Sequence, residues 1–133
     1  MLTLLDTDTL SLHLKGQPQV MAHVQAYAQT HGVIHFSLIT HYEILNGLFY
    51  KDAKQQMTRY QILLQDSRML PLTPESVRLA AQISARLRAA GQPIGHTDVL
   101  IAGVAIANNL ELATNNTRHF ERIEGLRLVN WTQ

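Results

Sequence analysis

Residues 91–114 read GQPIGHTDVLIAGVAIANNLELAT, and this stretch decides the fold class. From Asp98 to Ala107 it is apolar almost all round, through Val99, Leu100, Ile101, Val104 and Ile106, as a helix packed on both sides must be. Directly after two asparagines, Leu110 to Ala113 is an apolar run too short for a helix and reads as a buried strand. A buried helix feeding into a buried strand is the unit from which parallel sheets are assembled.

Working outward, four more short apolar runs read as strands: Leu2 to Leu5, Val33 to Phe36, Met69 to Leu72 and Leu126 to Val129. Helical stretches lie between them. Pro18 to Thr30 carries Val20, Val24, Tyr27 and Ala28 at helical spacing, with Gly32 placed to close it. Thr40 is positioned to cap a helix over His41 to Phe49. Thr73, Pro74 and Glu75 supply a cap, a first-turn proline and a dipole-favoured acid to a helix that Gly91 ends. Strand and helix alternate throughout, so the expected fold is a three-layer α/β/α sandwich with a mainly parallel sheet. Such sheets gather ligands at the carboxyl ends of their strands, near a topological switch point. With no repeat, low-complexity tract or linker, the 133 residues are expected to form one domain over 1–133.

A hydrophobic share of 46% against 16% charged residues describes a globular chain rather than a disordered one. The absence of cysteine excludes disulfides, a thiolate metal site and a cysteine nucleophile, leaving oxygen or imidazole for any metal. The opening MLTLLDTDTLSLHL lacks a basic start and is broken by Asp6 and Asp8, unlike a signal peptide or membrane helix, so a cytoplasmic protein without membrane contact is expected. A formal net charge of +1 gives no global field to attract nucleic acid, and any such surface must come from local cations. Candidates are Lys51, Lys54 and Arg59, then Arg86 with Arg88, then Arg118 with Arg122, although solvated helix faces are the commoner explanation of such clusters.

Three acids stand where chemistry is expected. Asp6 follows the first strand directly, where it either caps the next turn or projects into the crevice at the strand end. Glu43 sits in HYEILNGLF beside Ile44, Leu45, Leu48 and Phe49, with Gly47 one turn later, so that a bound group has room to approach; the alternative is a solvent-facing helix residue. Asp98 opens the buried helix and is the only acid between Glu75 and Glu111; capping, shared with Thr97, is its alternative role. Carboxylates converging from separate elements without basic partners imply a divalent cation, and hard oxygen ligands suit Mg²⁺ or Mn²⁺. Such ions activate water and polarise phosphodiesters. The histidines show no zinc spacing, and no phosphate-cradling glycine motif occurs.

Taken together, LLDTDTL, SLITHYEILNG and GQPIGHTDVLIAGVAIANNLELATNNTRHFERIEGLRLVNW resemble the VapC branch of the PIN-domain ribonucleases, over nearly the whole chain and least between about Lys51 and Arg68. The resemblance implies a PIN-like fold and metal-dependent endoribonuclease activity, as the toxin of a type II toxin–antitoxin pair. It places the catalytic and metal-binding acids on Asp6, Glu43 and Asp98, and supporting roles on Ser37, Thr40 and Thr114. Asp8 stands where the family usually has Asn. A fourth acid, found in relatives at one of two later positions, is replaced here by Asn116 and His119, whose side chains can still meet a metal-bound water, Mn²⁺ or a phosphate. As partners the resemblance implies a VapB-type antitoxin, an RNA substrate, a second copy of the chain in a homodimer, and operator DNA reached only through the antitoxin. Lys15, Lys51, Lys54, Arg86 and Arg118 are the candidates for steering phosphates.

Two other functions fit parts of the pattern. A signalling receiver would use a strand-end Asp, but it needs a late lysine near the site and the chain has none after Lys54. A catalytically silent PIN domain that only binds RNA or protein would explain the missing fourth acid.

Overall fold

The computed structural model describes all residues 1–133. Five strands form the sheet: β1 (Thr3–Leu5), β2 (Ile34–Ser37), β3 (Ser67–Leu70), β4 (Glu111–Ala113) and β5 (Leu128–Val129). Seven helices connect them: α1 (Thr7–Leu14), α2 (Pro18–His31), α3 (Leu38–Lys51), α4 (Lys54–Leu64), α5 (Pro74–Ala89), α6 (His96–Ala107) and α7 (Thr117–Phe120). The strand order is β3-β2-β1-β4-β5, and every neighbouring pair is parallel. The chain starts in the centre, builds outward through β2 and β3, then returns to the other side of β1. The switch point therefore lies between β1 and β4.

Side chains alternate across β1, and this sends the core to both faces. Leu4, with Leu112 of β4, packs against Ala80, Ile83 and Leu87 of α5 and Val99, Ile101 and Val104 of α6. Leu5, with Phe36 and Ala113, packs on the opposite face against Leu10, Val24, Ile44 and Tyr60 from α1, α2, α3 and α4. Three layers result, as the alternating pattern implied. Helix α6 is closely applied to α5: a Cβ on Gly103 would collide with the Ser76 carbonyl oxygen, so only glycine fits at that crossing.

Four details differ from the sequence expectation, each for a local reason. Strand β3 begins at Ser67, not Met69; it is an edge strand with Arg68 and Met69 exposed, so burial does not mark its ends and pairing of Ile34 with Ser67 does. Ser37, not Thr40, caps α3: its hydroxyl accepts the Thr40 N–H at 3.1 Å, and Thr40 lies inside the first turn. Helix α6 starts at His96 after Gly95 with no side-chain cap, so neither Asp98 nor Thr97 serves that purpose. Helices α1, α4 and α7 lie outside the sequence expectation. In α1, Leu10, Leu12 and Leu14 fall at every second residue, a spacing shared with strands, which hides its helical character.

Candidate active site

Each acid reaches the carboxyl edge of the sheet from a different element. Asp6 follows β1, and its N–H donates to the Ala113 carbonyl of β4 at 3.0 Å, holding it at the switch point. Its Oδ1 accepts the Thr9 N–H at 2.8 Å and caps α1, so the capping and cleft readings both apply. Asp6 is 4% exposed. Burial pushes its carboxyl up to about 6; hydrogen bonds from Thr114 and Thr9 oppose the rise, and the Asp8 charge adds to it.

Glu43 projects from α3, half-buried, and accepts a hydrogen bond from the Thr7 hydroxyl at 2.5 Å. The Thr40 Oγ1 lies 3.1 Å from that of Thr7, and Ser37 Oγ lies 3.5 Å from Thr40 Oγ1, forming a line of hydroxyls behind the carboxylate. Asp98 sits in the first turn of α6, half-buried, with no hydrogen bond from the chain. Desolvation raises its pKa, the charges of Glu43 and Asp8 raise it further, and His119 acts against them. That Glu43 and Asp8 act on Asp98 places them in one field.

The three acids line a single cleft of about 580 Å³, with Asp8 as a fourth carboxylate. Thr7 and Ser11 of α1, with Asn115 and Asn116, complete the lining, and Phe120 is its one apolar residue. Of the supporting residues expected from the sequence, Asn116 lines the cleft, while Ser37, Thr40 and Thr114 are buried behind it. Asn116 and His119 engage each other: the amide nitrogen lies 2.8 Å from His119 Nδ1, so a donating amide leaves the imidazole proton on Nε2. His119 is not among the lining residues, nor is His96, which is exposed beside Arg88 in a separate groove.

Thr7, Asp8 and Ser11, of which the sequence reading noted only Asp8, as standing where the family usually has Asn, line the site without having been expected there, as do Asn115 and Phe120. A signal for the first three exists: Thr7 with Ser11, and Asp8 with Ser11, stand at helical spacing of four and three residues, but only once α1 is read as a helix.

What the arrangement can do follows from its charge. No lysine lines the cleft, which removes support for a phospho-accepting receiver site. No three acidic or imidazole side chains close into a ready coordination set. The donors nevertheless fit Mg²⁺ or Mn²⁺: all are hard oxygens, and Mg²⁺ commonly takes one or two carboxylates and keeps several waters. Burial first, and neighbouring carboxylate charge second, raise the pKa values of Asp6 and Asp98, so a cation that compensates the charge would relieve both costs.

Residues 3–126 match the PIN domain family. The chain is 31% identical to the tRNA(fMet)-specific endonuclease VapC of Shigella flexneri, covering 97% of each sequence. It is 28% identical to Ribonuclease VapC1 of Haemophilus influenzae over the full length of both. Among solved structures it superimposes on VapBC2 of Rickettsia felis, bound to a DNA fragment from their promoter, with a TM-score of 0.89 and 28% identity over 98% of this chain and 99% of the other.

Proposed function

The chain belongs to the PIN domain family, and from that premise we propose that it is a metal-dependent endoribonuclease, the toxin of a VapBC-type toxin–antitoxin pair. The observation that carries this reading is the convergence of Asp6, Glu43 and Asp98, with Asp8, on one cleft at the strand ends, uncompensated by any lining cation. The named relatives are ribonucleases, and their identity extends over the whole chain, which supports the same chemistry here.

In this reading Asp6, Glu43 and Asp98 hold Mg²⁺ or Mn²⁺, which when bound supplies a Lewis acid and lowers the pKa of water. The rest is the work of the chain. Capping of α1 through Oδ1 fixes the Asp6 carboxylate at the switch point. Thr7 orients Glu43, backed by Thr40 and Ser37. Asp98, free of internal hydrogen bonds, keeps its oxygens available. Asp8 adds a fourth carboxylate from α1. Ser11, Asn115 and Asn116 offer neutral hydrogen-bonding groups to the RNA backbone.

The partners in this proposal are an RNA substrate, a VapB-type antitoxin, a second copy of the chain, and operator DNA reached through the antitoxin. The relative from Rickettsia felis, solved as VapBC2 on promoter DNA, supports that assembly. A second reading, a PIN domain that binds without cutting, draws on the mutual engagement of Asn116 and His119 where a fourth acid is missing.

Incubating the purified chain with total RNA in Mg²⁺ or Mn²⁺, with and without chelator, separates the two. Discrete fragments that vanish with chelator and in Asp98→Asn are expected, with the variant folded as judged by circular dichroism. Cleavage by Asp98→Asn at the parent rate would refute the site assignment, and RNA bound but never cut would favour the binding-only reading.

A further inference from the structure

None of the basic residues suggested by the sequence lines the acidic cleft itself, and three of them are engaged elsewhere. Arg86 pairs with Glu124 at 3.7 Å, Arg59 donates to the Leu14 carbonyl at 3.3 Å, and Lys54 lines an apolar groove with Phe49 and Met57. Lys15 and Lys51 are different. They come from the C-terminal ends of α1 and α3, are exposed, and have no carboxylate within ion-pair distance. Both line a groove of about 100 Å³ that shares Thr7, Ser11 and Glu43 with the acidic cleft and continues from it past Gly47.

Gly47 is an independent observation. It lies in the interior of α3, where glycine costs about 1 kcal/mol relative to alanine. Its φ is not positive, and a Cβ built there would meet nothing within 4 Å, so neither backbone conformation nor packing requires glycine. A smooth groove floor, open to a ligand passing close to the helix, does account for it. Two unpaired ammonium groups beside that floor suit an anion, and the anion nearest the acidic cleft of a nuclease is the next phosphate of the strand being cut.

We propose that Lys15 and Lys51 form a phosphate subsite, with Gly47 as its floor, that holds the RNA backbone beside the scissile position. The proposal rests on the nuclease reading for the identity of the strand. As positioning residues, the lysines anchor a neighbouring phosphate so that the scissile one lies among the carboxylates; ammonium groups bind phosphate as point charges and release counterions on doing so.

The test uses a fluorescein-labelled, single-stranded RNA of mixed sequence, with binding read by polarisation in EDTA, where no turnover occurs. In Lys15→Ala/Lys51→Ala, affinity is expected to fall about tenfold, and the slope of log K against log salt to become shallower by about 0.7 for each phosphate no longer neutralised. Lys15→Arg/Lys51→Arg should restore both. Gly47→Leu, which fills the groove from a position with open space around it, should weaken binding while the fold becomes no less stable in urea. With Mg²⁺ present, KM for cleavage should rise in the double alanine variant by more than kcat falls. Unchanged affinity and slope in that variant, or an equal loss in Arg78→Ala on distant α5, would overturn the subsite. If the parent chain shows this binding yet cuts no RNA with divalent ions, the nuclease reading fails and the subsite stands.

Discussion

Asp6 caps α1 and also lines the acidic cleft, and its burial gives the fold a pH dependence of defined sign. Its carboxyl is raised from 3.8 to about 6, so between those values the folded chain holds a proton that the unfolded chain has lost. Stability from this group is therefore fully present below pH 3.8 and is lost as pH rises from there through about 6. Two units correspond to about 3 kcal/mol, and Asn retains capping ability, so Asp6→Asn should gain on the order of 2 kcal/mol at pH 7.5 in metal-free buffer and nothing near pH 4. Urea melts at both pH values measure this, and a gain of equal size at pH 4 would exclude desolvation of the charge as its source. Thr7 gives a second prediction at this scale. It donates to Glu43 across the α1–α3 contact, and a hydrogen bond to a charged acceptor is worth about 1.5–3 kcal/mol. Thr7→Val should weaken Mn²⁺ binding, read by calorimetry, about tenfold or more, and Thr7→Ser should restore it.

The elements divide by how strongly their sequence favours one conformation. Helix α5 carries a cap, a first-turn proline and a buried face through Ala80, Ile83 and Leu87, and its start follows from local chemistry alone. Helix α6 takes its position from α5, because Gly103 lets the two backbones meet at Ser76 and Ala80. Gly103→Ala adds helix propensity worth about 1 kcal/mol, but overpacking costs about 1–3 kcal/mol. Net destabilisation of about 1 kcal/mol is expected in urea, with weaker Mn²⁺ binding because α6 carries Asp98. A variant more stable than the parent would show that the crossing is looser than its geometry implies.

Across the whole molecule, five parallel strands bring acids separated by most of the chain to one edge, and the burial of their charge, with repulsion added, makes the fold responsive to divalent ions. Ligand that binds only the folded state stabilises by RT ln(1 + [L]/Kd), about 2.7 kcal/mol at one hundred times Kd. Mg²⁺ or Mn²⁺ should therefore raise Tm, and by more at pH 7.5 than at pH 5, where Asp6 is largely protonated. Thermal melts with each ion at both pH values test this. A rise of equal size at pH 5 would mean that the ion binds away from Asp6.

The apolar runs around Leu4, Phe36 and Leu112 and the caps at Thr73 and Gly32 are local in origin, so the sequence by itself determined the layered parallel architecture. It also singled out Asp6, Glu43 and Asp98, because acids beside apolar residues stand out wherever they fall. The edges of β3 and the helix α1 were decided only by tertiary structure: one is set by pairing to β2, and the other has a leucine spacing that serves strand and helix alike. The same is true of Asp8, of Thr7 behind Glu43, and of Lys15 and Lys51 alone among the cations in reaching the cleft's extension. Those facts depend on which side chains share a space after α1 and α3 dock. Docking is a relation between distant segments that neither segment encodes separately.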